Sequence, residues 1–263
     1  MDGSRIILAA HRGDKLYYPE NTMPAFESAL NFGVDMIETD VRMSKDGELV
    51  IIHDRSASRT TGVDRNIDEM TLEEIKALDA GSSFSESFKN TKIPTVKEFI
   101  SLMKHTDILI NWELKVYPTE FDDDTAFAVA DRLISLIEEN GICERSMLNS
   151  FSARVLEYVY KKCGKKYKLH GQGIYNCRRS KDNPEISESK IFDWCCLYPN
   201  KPGENPIDYK DNFDFCVKHG IIPCVCIKDD YDSYKKAIEY GCKMFTSNDI
   251  YAAQRILMEL GVR

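Results

Sequence analysis

The sequence predicts a parallel α/β barrel of the TIM type, (β/α)8, with a small polar insertion after the second strand region. Short apolar or β-branched runs alternate with amphipathic stretches along most of the chain, and such barrels commonly occupy its length of 263 residues as one domain. An open doubly wound sheet is the alternative fold, but no G-x-G-x-x-G motif follows the first apolar run. We therefore expect one domain over 1–263, with an inserted segment at about 55–94.

Nine runs have the length and composition of strands, and seven amphipathic stretches between them have helical spacing. A glycine stands at or just after the end of five of the helices, where left-handed backbone costs glycine little. The predicted strands are Ile6–Ala10, Met36–Met43, Glu48–His53, Ile108–Leu114, Ser146–Ser150, Tyr167–His170, Trp194–Tyr198, Ile221–Ile227 and Lys243–Thr246. The predicted helices are Met23–Phe32, Val96–Met103, Thr125–Glu139, Ala153–Lys161, Asp211–Lys218, Tyr231–Glu239 and Ile250–Leu260.

The segment Arg55–Pro94 interrupts this alternation. It is rich in Ser, Thr, Asp and Lys, and its one helical pattern, Leu72–Leu78, follows Thr71 as a capping residue. Its phenylalanines, Phe84 and Phe88, form either a small local core or a wall of the substrate site. We interpret the segment as an excursion from the barrel.

Composition excludes some classes of protein. A net charge of −8 and a pI near 5.3 disfavour a general nucleic-acid binder. No apolar run has the length of a transmembrane helix. The first apolar run is too short for the hydrophobic region of a signal peptide, and no basic segment precedes it. We therefore expect a cytoplasmic protein without stable membrane anchoring.

The nine cysteines include the pairs Cys195-Cys196 and Cys224-x-Cys226, most of them within apolar runs. We expect buried free thiols in a reducing compartment. A zinc site is the less favoured alternative, because no Cys/His set has a recognisable spacing.

Carboxylates stand in two predicted strands. Since side chains alternate along a strand, Glu38 and Asp40 lie on the same face of the first of these strands. For the same reason Asn111, Glu113 and Lys115 lie on one face of the second. Three carboxylates at strand ends, without thiolates, suit one hard divalent cation, Mg²⁺ or Ca²⁺. The alternative is a network of salt bridges, for example between Glu113 and Lys115 or between Asp40 and Arg42.

Two histidines, His11 and His53, end apolar runs and are predicted to face the same barrel mouth, where they can act as acid and base. Each could instead be a structural histidine.

Arg12 is suited to bind phosphate, or to pair with Glu20. Asn21 is predicted to be a helix N-cap rather than a ligand. His170 is a weaker candidate to line the mouth.

Five ordered motifs resemble those of glycerophosphodiester phosphodiesterases: HRG, PENT, ETDV, SKDGELVIIHD and NWELK. The resemblance spans the whole chain and weakens towards the C-terminus. It implies a TIM barrel with an insertion between the second strand region and the second helix. It also implies the following roles: His11 and His53 as the acid/base pair, Glu38, Asp40 and Glu113 as ligands to Ca²⁺ or Mg²⁺, Arg12 and Lys115 near the phosphate, and Ser150-Phe151 beside the pocket.

The activity that the resemblance implies is hydrolysis of a small glycerophosphodiester to glycerol 3-phosphate and an alcohol. A related enzyme acting on lysophospholipids and a non-catalytic barrel for phosphorylated ligands are the alternatives, whereas a zinc amidohydrolase is disfavoured because strand one lacks an H-x-H pair.

The seventh-strand motif of the family, W-T-V-N, is replaced by Cys226-Ile227-Lys228-Asp229. We therefore expect weak discrimination among choline, ethanolamine and glycerol head groups, with Asp229 favouring a cationic one. The alternative is that Phe84 or Tyr198 supplies the missing aromatic wall.

Overall fold

In the computed structural model, which describes residues 5–173 and 191–263, eight parallel strands close into a barrel. Strand β1 (Ile7–His11) closes it by pairing in parallel with β2 (Met36–Met43) on one side and with β9 (Met244–Ser247) on the other. The fold is therefore the predicted (β/α)8 barrel. Its strands are β1 (Ile7–His11), β2 (Met36–Met43), β4 (Leu109–Leu114), β5 (Ser146–Ser150), β6 (Lys168–Gln172), β7 (Trp194–Leu197), β8 (Ile222–Val225) and β9 (Met244–Ser247).

Helices cover the outside of the barrel. At several of them a polar side chain caps the first turn. Thr95 and Glu98 form a capping box that starts α4 (Val96–Met103). Asp122 accepts a hydrogen bond from the Thr125 N–H, and α5 (Asp123–Glu139) therefore begins two residues earlier than predicted. The described helices are α1 (Met23–Phe32), α2 (Ser58–Thr61), α3 (Leu72–Ala77), α4 (Val96–Met103), α5 (Asp123–Glu139), α6 (Ala153–Cys163), α7 (Lys210–Lys218), α8 (Tyr231–Glu239) and α9 (Ile250–Glu259).

Strand β3 (Leu49–Ile51) is not part of the closed barrel. It pairs antiparallel with the end of β2, opposite Val41 and Met43. His53 therefore reaches the mouth at the end of a strand that returns antiparallel to β2. The Ile52 N–H donates to the Asp40 carbonyl at 3.0 Å, and this bond holds the segment beside β2.

The inserted segment has its own apolar core, and it consists of residues other than Phe84 and Phe88, which were considered either for such a core or for a wall of the site. Phe84 is 44% exposed and packs edge-on against Phe88, with 5.7 Å between ring centroids. Apolar side chains of the short helices and their loops instead turn inward against β3, which leaves Phe84 at the surface and Phe88 half-buried against Tyr18. The core consists of Val50, Ile52, Ala57, Ile67, Met70, Ile75, Ala80 and Ile93.

The barrel strands separate two apolar regions. Outward side chains such as Trp112 pack against the helices, and the Trp112 indole donates to Ser146 Oγ at 3.1 Å. Inward side chains form a smaller cluster that includes Met36, Met147 and Trp194. Farther along the same inward faces, towards the carboxyl ends of the strands, the side chains become polar. None of the described helices is both long and apolar enough to cross a membrane.

Candidate active site

Three carboxylates converge at the mouth, as predicted. Glu38 and Asp40 on β2 and Glu113 on β4 each offer one oxygen, and these oxygens lie within 4.8 Å of one another. Parallel pairing places Asp40 beside Glu113, and all three side chains are buried. Among the described residues Glu38 Oε1 has no hydrogen-bond partner. An oxygen-only set with a buried free oxygen fits a hard divalent cation.

Two cations neutralise part of this charge. Lys115 Nζ lies 3.0 Å from Asp40 Oδ1 and 2.5 Å from Glu113 Oε1, while Arg12 Nε lies 3.1 Å from Asp40 Oδ2. Burial opposes ionisation of Asp40, but Lys115 and Arg12 outweigh it and lower the pKa of this carboxyl. Burial and the neighbouring carboxylates raise the pKa values of Glu38 and Glu113. The salt-bridge network is thus present around the carboxylates, although Arg42 pairs with Glu120 instead of Asp40.

The loop after β1 turns towards the site through left-handed backbone at two consecutive residues. Arg12 has a φ of 64° and Gly13 a φ of 82°, and the Arg12 N–H donates to Glu38 Oε2 at 3.2 Å. Arg12 also pairs with Glu20, at 2.9 Å, so both contacts considered for it occur together.

Asn21 is not the helix N-cap that the sequence predicted. Thr22 holds that position, while Asn21 has a φ of 55° and turns its side chain into the barrel. Its Nδ2 donates to Asp40 Oδ2 at 2.7 Å, and its Oδ1 accepts from Thr39. The left-handed backbone reverses the direction of this side chain, so Asn21 orients a carboxylate of the site.

Both histidines face the cavity, and each is oriented through Nδ1. His11 Nδ1 donates to Asn248 Oδ1 at 2.6 Å, and His53 Nδ1 donates to Asp54 Oδ1 at 2.6 Å. The Nε2 of His11 lies 3.9 Å from Glu38 Oε2. Burial, followed by the charge of Arg12, lowers the pKa of His11 to about 4, and burial also lowers the pKa of His53. Fixing Nδ1 leaves the Nε2 atoms as the ones that can exchange a proton with a ligand.

These groups surround one cavity of about 220 Å³. Its polar lining includes residues that sequence reasoning missed, above all Asn149 and Gln172, which hydrogen-bond to each other at 2.8 Å. The only available signal was their inward position in alternating strands. The lining residues are His11, Arg12, Glu38, His53, Asn111, Glu113, Lys115, Asn149, Phe151, His170, Gln172, Cys196, Tyr198, Cys226 and Thr246.

The side of the cavity formed by β7 and β8 carries the altered motif. Tyr198 lines it with Phe151, whose ring centroid is 5.6 Å away, and the Tyr198 hydroxyl donates to Gln172 Oε1 at 2.9 Å. Phe84 is not among the described residues that line it. Asp229 instead accepts hydrogen bonds from Tyr234 and Ser247. Of the two aromatic residues considered as replacements, Tyr198 is therefore the one in place.

Comparison with known sequences identifies relatives. A glycerophosphodiester phosphodiesterase of Caldanaerobacter subterraneus subsp. tengcongensis is 40% identical over 161 residues, which are 60% of this chain and 63% of that relative. One from Bacillus altitudinis is 38% identical over 153 residues, or 58% of this chain and 60% of the relative. The matches thus span less than two thirds of the relatives' length.

Solved structures share the fold at low identity. A glycerophosphodiester phosphodiesterase from Agrobacterium tumefaciens superposes with a TM-score of 0.71 at 23% identity, over 94% of this chain and 99% of that one. An Oleispira antarctica phosphodiesterase, solved with the product sn-glycerol-3-phosphate, superposes with a TM-score of 0.79 at 22% identity, over 96% of both chains.

The family model described as glycerophosphoryl diester phosphodiesterase matches residues 11–190, more than half of the sequence. This chain therefore belongs to the glycerophosphoryl diester phosphodiesterase family.

Proposed function

We propose that this chain hydrolyses small glycerophosphodiesters to glycerol 3-phosphate and an alcohol. The observation that carries the proposal is the meeting of three carboxylates, two cations and two histidines around one cavity, which all of them except the fully buried Asp40 line. The relatives named as glycerophosphodiester phosphodiesterases, and the related barrel that binds glycerol 3-phosphate, support this substrate class.

Glu38, Asp40 and Glu113 would hold one divalent cation, Ca²⁺ or Mg²⁺. When bound, such an ion supplies Lewis-acid stabilisation of negative charge on the phosphate oxygens. The orphaned Glu38 Oε1 and the absence of sulfur or nitrogen from this donor set support a hard ion.

Arg12 and Lys115 would bind and orient the phosphate. Both line the cavity, and their charges lie on the side occupied by the carboxylates. As charge grows on the phosphoryl oxygens, fixed cations in a buried site stabilise it without reorganisation. Their ion pairs with Asp40 hold the two side chains in position.

His11 and His53 would act as the acid/base pair. One Nε2 takes the proton of the attacking water or neighbouring glycerol hydroxyl as its oxygen bonds to phosphorus. The other histidine gives a proton to the oxygen of the departing alcohol as the P–O bond to that alcohol breaks. If the glycerol hydroxyl attacks, water then opens the resulting cyclic phosphate by the same proton transfers. Asn248 and Asp54 hold the two rings through Nδ1, as expected for oriented catalytic imidazoles.

A coupled assay for glycerol 3-phosphate, run with glycerophosphocholine, glycerophosphoethanolamine and glycerophosphoglycerol, tests the proposal. We expect release of glycerol 3-phosphate from at least one of them, and loss of this activity in His11→Ala. The matched control is His105→Ala, since His105 is exposed on the loop after α4. Tight binding of the diesters without any product would contradict hydrolysis and favour a binding barrel. Turnover of lysophosphatidylcholine alone would favour the lysophospholipase alternative.

A further inference from the structure

Three side chains that are far apart in the sequence meet inside the barrel. His170 on β6, Cys196 on β7 and Cys224 on β8 each offer one ligand atom, and these atoms lie within 4.8 Å of one another. All three residues are buried. The sulfur of Cys224 lies 3.1 Å from His170 Nε2, and Cys196 is the register partner of Cys224 on the neighbouring strand.

We propose that His170, Cys196 and Cys224 form a second cation site, for a soft ion such as Zn²⁺. Two sulfurs and one imidazole nitrogen are ligands that Zn²⁺ prefers, and three protein ligands leave a fourth position for water or another ligand. With Zn–S of about 2.3 Å and Zn–N of about 2.0 Å, tetrahedral donors lie roughly 3.5 Å apart. The 3.1 Å between Cys224 Sγ and His170 Nε2 is close to this distance, and the other donor pairs lie within 4.8 Å of one another.

Asn111 supports the assignment because it lies behind the imidazole. Its Nδ2 is 3.2 Å from His170 Nδ1, while its buried Oδ1 has no hydrogen-bond partner among the described residues. A half-turn of the amide exchanges Oδ1 and Nδ2, so that His170 Nδ1–H donates to Oδ1. Nε2 then carries its lone pair towards the two sulfurs. A hydrogen bond of this kind orients most histidines that bind metals.

The cluster also has an entry path. His170 and Cys196 line the cavity at the mouth, whereas Cys224 belongs to the apolar cluster of the barrel interior. The three-carboxylate cluster faces the same cavity but has only hard oxygen donors, so the two sites differ in the ions they select.

Metal binding to the reduced protein tests this site. With excess Mg²⁺ present to occupy the carboxylates, we expect one Zn²⁺ per chain, and Co²⁺ should produce a sulfur-to-cobalt charge-transfer band. Cys196→Ser and Cys224→Ser should each remove the band and weaken Zn²⁺ binding by about a hundredfold or more. Cys163→Ser is the matched control, since Cys163 is a partly exposed thiol at the end of α6, and it should retain both signals.

Asn111→Ala provides a second test that leaves all three ligands intact, and it should weaken Zn²⁺ binding by about 10- to 100-fold. Circular dichroism of each metal-free variant checks that it is folded. Absence of the band in the reduced wild type, or its persistence in both serine variants, would overturn the proposal. A disulfide between Cys196 and Cys224 that resists reduction would also overturn it. These readouts do not depend on phosphodiester hydrolysis.

Discussion

Lys115 Nζ lies 3.0 Å from Asp40 Oδ1, and both side chains are almost fully buried. The pair links β2 to the residue that directly follows β4, and Lys115 also contacts Glu113. Because Lys115 and Arg12 together offer two charges to three carboxylates, the cluster keeps an excess of acidic groups. A divalent cation would balance that excess, since buried carboxylates otherwise repel one another.

Metal removal should therefore abolish hydrolysis. We expect exhaustive chelation to stop release of glycerol 3-phosphate, and Ca²⁺ or Mg²⁺ to restore it. Glu38→Gln and Glu113→Gln should lower turnover by about a hundredfold or more. Glu48→Gln serves as the control, because Glu48 pairs with Lys97 at the surface. Full activity of protein shown by elemental analysis to be metal-free would contradict the prediction.

The two histidines should be needed individually. His11→Ala and His53→Ala are each expected to lower kcat by about a hundredfold or more with little change in thermal stability. The wild type should show a bell-shaped dependence of rate on pH, and each variant should lose one limb of it. Steady-state kinetics across pH measures both effects. Near wild-type turnover in either variant would show that the acid/base assignment is wrong.

Tyr198 should influence which alcohol leaves. If its ring binds the quaternary ammonium of choline, Tyr198→Ala should reduce the ratio of kcat/KM for the choline diester over the glycerol diester by about 5- to 30-fold, equivalent to roughly 1 to 2 kcal/mol. Phe84→Ala is the control, because Phe84 lies in the insertion and outside the cavity lining. Equal kcat/KM values for the three head groups in the wild type would instead support the weak discrimination expected when Cys226 replaces the aromatic residue of the family motif.

Gly13 should be needed both for its left-handed backbone and because no space is left for a side chain beside Ala25. A Cβ added at Gly13, which has a φ of 82°, would lie 2.8 Å from the Ala25 carbonyl carbon, whereas at Gly47, with a φ of 83°, it would meet nothing within 4 Å. Gly47→Ala should cost about 1 to 2 kcal/mol of unfolding free energy from backbone strain alone. Gly13→Ala should cost more and also reduce turnover, since Arg12 would move. Equal costs in urea unfolding would refute the steric argument.

Glu20 should stabilise the fold in a pH-dependent manner. Burial opposes its ionisation, but the hydrogen bond from Arg59 and the charge of Arg12 outweigh this and lower the pKa of Glu20 to about 2. A lowered carboxyl pKa adds stability above the unfolded-state value and loses it as pH falls towards the folded-state value. Wild type should thus exceed Glu20→Gln by about 1 to 3 kcal/mol at neutral pH, and the difference should shrink between about pH 4.5 and about pH 2.

Urea unfolding at a series of pH values measures this difference. Glu27→Gln, at an exposed position of α1, is the control and should show no comparable change with pH. A Glu20→Gln penalty that stays constant down to about pH 2 would mean that packing, not charge, is responsible.

Local patterns determined much of this protein. Alternation within single strands was enough to place Glu38 with Asp40 and Glu113 with Lys115, because side-chain direction in a strand has a period of two. Helices such as Met23–Phe32 and Tyr231–Glu239 have the predicted bounds, since their apolar spacing and their ends are encoded nearby in the chain.

Closure of the barrel decided the rest. Asn21 orients Asp40 only because a left-handed turn directs it inward, and His53 reaches the mouth only because β3 returns antiparallel. His170, Cys196 and Cys224 have no recognisable spacing, yet pairing between neighbouring strands brings them together. Such contacts depend on register between segments distant in sequence, which no local pattern records.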